Sequence, residues 1–267
     1  MAKRKAEGHC AICSTYGPLT FEHVPPEKAF NDRPVVMLAA EKAMNLAPGE
    51  RAKGPIQQRG MGAYTLCGKC NNDTGGWYGG AFVDWCAQGM DILRRAGGRP
   101  TLIYPHHIYP LRIFKQIITM FFSANPGSLR HHSELVTFVL DKERQYLSPT
   151  YRVFVYYNNI GRTRFHGLGG LLNVEKGTSI LMSEITFPPF GYVLTLDSPP
   201  PDQRLVEVTY FARSAYDAQI ALPFRLPVLP THVWVPGDYR EHGQIMKEAA
   251  ESAMAMASPP RPVLSLP

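Results

Sequence analysis

The 267-residue sequence predicts an α+β chain in two parts, a small N-terminal module stapled by cysteines and a mostly antiparallel, β-rich α+β domain after it. Three observations carry that expectation. Two Cys-x-x-Cys pairs, Cys10/Cys13 and Cys67/Cys70, bracket the early chain. Short apolar runs separated by turn residues fill the stretch from about 150 to 235, as consecutive strands do. Between them the texture changes at Pro100, just after a helical run closed by Gly97-Gly98. The predicted boundary lies there, with the module over residues 1–99 and the second domain over 100–267.

The composition is that of a folded chain, with 45% apolar and 19% charged residues. No stretch approaches the roughly 18 consecutive apolar residues of a spanning helix. The start, Met1-Ala-Lys-Arg-Lys, has no apolar run behind it, so a secretory leader is not expected. The sequence therefore predicts a cytoplasmic protein with no membrane partner. The net charge is +6. Thirteen basic residues face nine acidic ones up to residue 100, against fifteen and thirteen beyond it. The positive bias falls mainly on the module, as a polyanionic partner requires.

Taken in order, a basic tail (Lys3, Arg4, Lys5) leads to the first pair, and Thr15-Tyr16-Gly17-Pro18 reads as a turn. Leu19 to Val24 is predicted to be a strand presenting Glu22 and His23, ended by Pro25-Pro26. Val35 to Leu38 suits a short strand or helix, and Pro48 to Gly62 reads as a loop carrying Arg51, Lys53 and Arg59. A loop of that length is usually functional, which makes the three basic residues candidate nucleic-acid contacts. A helix is expected after Cys70, interrupted by Gly75-Gly76 and Gly79-Gly80, and a further one from Ala81 to Arg95.

Beyond Pro100 the expected elements are an apolar helix over 111–123 and a second helix from His131 to Leu140. Strands follow over 152–157, 162–172, 179–187, 191–196, 205–211 and 221–235, and a last helix over 239–256. Arg152, Arg162, Arg164 and His166 alternate with aromatic residues and form a second candidate nucleic-acid surface.

A two-residue gap lets both thiolates of a pair turn onto one ion, and two such pairs give the four soft ligands of a closed zinc site. Fifty-three residues separate the pairs. Disulfides are the competing use, but they are not expected in a non-secreted chain. Cys86, the fifth cysteine, lies in an apolar helical run and reads as a small core residue. His9 could replace a thiolate, though four cysteines make that unnecessary.

Between the pairs stands Glu22-His23-Val24-Pro25, and directly after the last cysteine stands Asn71. A cysteine-stapled hairpin and helix with Glu-His on the hairpin and Asn at the helix start resembles the HNH endonuclease family, over about the first third of the chain. The resemblance implies a treble-clef zinc site framing a ββα-metal finger. It implies His23 as general base for water, and Glu22 with Asn71 as ligands of a catalytic Mg²⁺ or Mn²⁺. The zinc on Cys10, Cys13, Cys67 and Cys70 would be structural. The substrate would be DNA, with RNA equally compatible with these residues, cut to leave 5′-phosphate and 3′-hydroxyl ends. By analogy with family members that carry an added domain, residues 100–267 would serve target choice, homo-oligomerisation or response to a signal, in restriction or anti-phage defence. The chain departs from the family in lacking a middle Asn before the second pair, where it reads Arg59-Gly-Met-Gly-Ala-Tyr-Thr-Leu66. That departure supports the alternative, a catalytically inactive module that binds nucleic acid or a protein partner.

Overall fold

A computed structural model of the chain describes residues 6–39, 42, 53–158, 164–173 and 178–229. The described residues are mixed α and β, and their sheets are antiparallel. They form two compact units, each assembled from separate pieces of chain. The first holds Met1–Asp84, Tyr109–Leu147 and Ala212–Ala218; the second holds Trp85–Ile108, Ser148–Phe211 and Gln219–Pro267. This division is not the single cut near residue 100 that the sequence suggests.

The first unit opens with β1 (Glu7–His9), β2 (Tyr16–His23), β3 (Val35–Val36), β4 (Ile56–Gln57) and β5 (Gly62–Cys67). β1, β2 and β5 make a three-stranded sheet in that order, and β3 pairs with β4. Part of the predicted 48–62 loop is thus a strand. After β5 come α1 (Gly68–Thr74), one π-helical stretch (Gly75–Gly79) and α2 (Gly80–Arg95), whose first turn belongs to this unit. The glycine pairs expected to interrupt the helix are absorbed by a widened turn. Gly75 and Gly80 keep ordinary right-handed helical angles there.

α3 (Pro110–Ala124) explains why residues 109–147 join the first unit. Thirteen of its fifteen residues are buried, which is the state of a helix apolar on all sides. Tyr78, Phe82 and Phe138 are fully buried in this unit, as is Phe114 of the helix itself, which lies edge-on to Phe138 of α4 (Ser133–Leu140). The phenol of Tyr78 donates to Val139 O at 2.7 Å, and Thr65 Oγ1 donates to Ser123 Oγ at 2.8 Å. Lys115 is fully buried, yet its Nζ donates to Asp141 O and Lys142 O at 2.6 and 3.1 Å. Burial pushes that amine down to about 8, and the two carbonyls supply the hydrogen bonds that burial would otherwise remove.

The second unit contains β6 (Thr101–Ile108), β7 (Tyr151–Tyr157), β8 (Arg164–Asn173), β9 (Thr178–Phe187), β10 (Phe190–Leu196), β11 (Val206–Glu207) and β12 (Ile220–Pro227). Five of them form a sheet in the order β11-β7-β10-β9-β8, and β6 pairs with β12. Aromatic rings pack its core. Phe190 stacks on Trp85 at 4.4 Å and on Tyr157 at 5.1 Å, and a Cβ on Gly89 would lie 2.3 Å from the Phe190 ring. Tyr156 lies over Gly191 in the same way, leaving 2.1 Å for a Cβ, so only glycine fits at either place.

Three expectations change here. β6 was not expected, because Pro105 and His106-His107 interrupt its apolar pattern; pairing along β12 forms it. The expected strand over 205–211 shrinks to β11, followed by a 3₁₀ turn at Thr209–Arg213. The aromatic–basic stretch is not a stacking surface in its first strand. Phe154, Tyr156 and Tyr157 are buried, and Arg152 pairs with Glu207 at 2.7 Å. Buried rings cannot receive bases. Arg162 and the helix predicted over 239–256 lie outside the described residues. Cys86 is buried, with its thiol pushed up by burial, as a core residue should be. Among the described residues no helix is long and apolar enough to cross a membrane.

Candidate functional site

The two cysteine pairs meet. Sγ atoms of Cys10, Cys13, Cys67 and Cys70 all lie within 4.8 Å of one another, and Cys13 and Cys67 are 3.8 Å apart. Four sulfurs placed about 2.3 Å from a tetrahedral zinc stand about 3.8 Å from each other, so the cluster fits such an ion. All five cysteines are free thiols, which sets the disulfide alternative aside.

Local backbone builds the cluster. Ser14 takes a left-handed conformation (φ 62°), which closes the first pair into a knuckle with Ser14 N donating to Cys10 O. Ala11 N donates to Thr65 O at 2.8 Å and holds the knuckle against β5. The second pair sits where β5 becomes α1, with Cys67 Sγ accepting from Cys70 N as the helix cap. The hydrogen bond from Cys70 lowers the Cys10 thiol to about 4, and the same bond, with burial, raises Cys70. His9 turns its Nδ1 to Ser14 O at 2.9 Å and is engaged away from the sulfurs.

β2 then carries the chain to a cleft of about 590 Å³ in the first unit. Glu22, His23 and Asn71 all line it. Adjacent strand residues ordinarily point to opposite faces, so a regular strand would send only one of the Glu-His pair there. The register of β2 with β5 shifts between Thr20 and Phe21, upstream of the pair, and the strand ends at His23. Beyond that end Pro26, Glu27 and Lys28 also line the cleft.

Glu22 is 7% exposed, and burial alone pushes its carboxyl up to about 8. Among the described residues no cation compensates it, so burial favours its neutral form. His23 packs edge-on against Phe21 at 4.9 Å, and its Nε2 is buried with no hydrogen-bond partner. Asn71 uses its Nδ2 to brace the strand, donating to Thr20 Oγ1 at 2.9 Å and Phe21 O at 3.4 Å. Only its Oδ1 is left for a ligand. Asn72, the next residue and also an amide, is exposed and outside the cleft lining.

Several residues of this site were not singled out in the sequence. Asn31 is 1% exposed and its amide cross-links the loop after β2 to the approach of β5. Nδ2 donates to Pro25 O and Met61 O at 2.6 and 2.7 Å, and Met61 N donates to Oδ1 at 2.6 Å. Gly62 and Gly60 let the two segments touch. A Cβ on Gly62 would lie 2.1 Å from Glu22 O, and one on Gly60 (φ +82°) would lie 2.0 Å from Asn31 O. Lys28 and Asp84 also border the cleft, as does Gln116 from α3. Lys53 and Arg59 are exposed and do not line it, and Arg51 lies outside the described residues.

Comparison with known proteins gives no match to any family model, any curated protein or any solved structure.

Proposed function

We propose that the chain is a metal-dependent endonuclease of the HNH kind, hydrolysing DNA phosphodiester bonds in the cleft at the end of β2. The observation that supports this reading is the convergence of Glu22, His23 and Asn71 on one cleft next to the four-cysteine cluster. The cysteines, with the knuckle on one side and the strand-to-helix junction on the other, would form a treble-clef staple around structural zinc. A closed site of four thiolates has no open position, so it fixes geometry and leaves the chemistry to the cleft.

There each residue has a defined task. In the tautomer protonated on Nδ1, His23 offers Nε2 as an acceptor for a water proton, the task of a general base. The Glu22 carboxylate and Asn71 Oδ1 are hard oxygen donors suited to Mg²⁺ or Mn²⁺, which keep most of their waters when protein ligands are few. That ion would supply charge relief at the phosphate and at the leaving oxygen. Lys28 stands exposed at the rim, within the cleft lining, as a contact for the flanking phosphate. Asn31, Gly60 and Gly62 hold the strand end in place.

The divalent site is tested by titrating Mn²⁺ into zinc-loaded protein and following water-proton relaxation. Wild type is expected to bind one Mn²⁺ in addition to its zinc, and Glu22→Gln to lose at least tenfold in affinity, the loss of one charged ligand from a site that has only one. Equal Mn²⁺ binding by both proteins would contradict the assignment of Glu22.

A further inference from the structure

His23 belongs to a row of rings. It meets Phe21 edge-on at 4.9 Å, and Phe21 meets Tyr64 of β5 edge-on at 5.4 Å. Strand pairing fixes the second contact, because Phe21 and Tyr64 are direct partners in the register of β2 with β5. The row runs outward from the candidate general base. His23 and Phe21 are half-buried and line the cleft, while Tyr64 stands just beyond the lining and is 56% exposed.

Sheet stability does not account for an open ring at that place. A cross-strand aromatic pair helps to hold two strands together, but that needs only the contact with Phe21. Edge-on packing covers at most one face of Tyr64, and among the described residues no ring stacks face to face on it. A protein partner is a poor occupant. β1, β2 and β5 expose only two large apolar side chains, Tyr16 and Tyr64, and Tyr16 is engaged edge-on by His9. That is far short of the area a protein-docking face buries. One open ring instead matches one nucleobase, since every base has a π-face to lay on it. The adjoining cleft, read as a phosphodiester site, carries the exposed Lys28 for a phosphate.

We infer that Tyr64 stacks an unpaired base of the DNA strand whose phosphate lies at His23. The inference rests on the nuclease reading above and names its substrate class. In a duplex each base is covered on both faces by its neighbours, so a ring that stacks on a base selects a strand that is single or locally unpaired. Phe21 stands between the two rings and holds both, so the stacked base and the scissile phosphate belong to neighbouring nucleotides. The stack makes and breaks no covalent bond; it binds the strand and sets its position. The rings of β7 cannot do this because they are buried, whereas Tyr64 is open.

The test uses the full-length, zinc-loaded chain with Tyr64→Val, which keeps a strand-favouring side chain, and Tyr64→Phe, which keeps the ring. Affinity for a DNA single strand and for its duplex is measured by fluorescence anisotropy in Ca²⁺ over a range of salt. Cleavage of the same two forms is then followed in Mg²⁺ or Mn²⁺. Wild type is expected to bind the single strand more tightly than the duplex. Tyr64→Val should lose roughly 5- to 100-fold in single-strand affinity, the worth of one base–ring stack, with duplex affinity within twofold of wild type. Its salt dependence should not change, because a stack releases no counterions. Tyr64→Phe should keep the single-strand affinity. The inference is overturned by single-strand affinity within twofold of wild type in Tyr64→Val, by an equal loss on both DNA forms, by an equal loss in Tyr64→Phe, or by a wild type that prefers duplex. Any of these alongside cleavage by wild type leaves the nuclease reading intact. Wild type that binds the strand through Tyr64 but cleaves neither form would overturn the nuclease reading, and with it the placing of the stacked base beside a scissile phosphate.

Discussion

Replacing Cys70 with serine is expected to cost the first unit its metal and its fold. The reason is the size of what the cysteines hold. Three short strands and a seven-residue helix form the module around them, and a helix shorter than about 12 residues is marginal alone in water. Structural zinc in small modules contributes on the order of 10 kcal/mol, well above any single core contact. Cys70 is 3% exposed and within 4.8 Å of its three partners, so no water can replace its thiolate without opening the knuckle. One zinc per chain by elemental analysis is expected for wild type, and none for Cys70→Ser, with loss of the cooperative unfolding transition of that unit. Cys86→Ser is the control. Cys86 is buried in the second unit, outside the cluster, and its loss should leave zinc content unchanged. Stoichiometric zinc in Cys70→Ser would contradict the four-thiolate site.

The second large effect is a trade between stability and activity at Glu22. Burial raises its carboxyl to about 8 in the folded chain, against roughly 4.3 when unfolded. A carboxyl raised on folding contributes stability that is fully present below about pH 4.3 and is lost as pH rises toward 8, because the unfolded chain ionises first. Glu22→Gln removes that titration. In zinc-loaded, Mg²⁺-free protein the variant should therefore gain little at pH 5 and on the order of 2–4 kcal/mol at pH 8, read from urea unfolding. The same substitution should lower cleavage at least 100-fold, because the amide cannot supply a negative ligand. A stability difference that is flat between pH 5 and 8 would mean that Glu22 is already ionised or already paired.

Much of this site was legible in the sequence, and the reasons can be assigned residue by residue. Cys-x-x-Cys spacing fixes local geometry, so the cluster of Cys10, Cys13, Cys67 and Cys70 was readable before any fold was known. Glu22 and His23 were readable because the prolines after them end one short strand, although Tyr16, Gly17 and Pro18, expected as part of a turn before it, belong to that strand and pair with β1. The placement of both on one cleft was not, since period-two alternation predicts opposite faces, and the cleft lies where the strand ends at His23. Asn31 and Gln116 were hidden for another reason. Asn31 bonds Met61 and Gln116 lines the cleft from α3, each across a long stretch of chain, and no local pattern marks a neighbour that only tertiary packing supplies. The unit boundary failed likewise. A strongly apolar helix over 111–123 was expected, but not that its burial is used by the first unit. In β7 the alternating aromatics were readable as a strand, while the burial of both its faces comes from tertiary packing that no local pattern marks.

The central claim is that the cleft at the end of β2 hydrolyses phosphodiesters with His23 as base. It is tested most directly by converting supercoiled plasmid to nicked and linear forms in Mg²⁺ or Mn²⁺, with wild type and His23→Ala side by side at equal zinc content. The account predicts cleavage by wild type and a rate about 10²- to 10⁴-fold lower in the variant, the usual contribution of a general base. Equal rates in the two proteins would contradict the role of His23, and the absence of cleavage in both would favour a cysteine-stapled module that only binds.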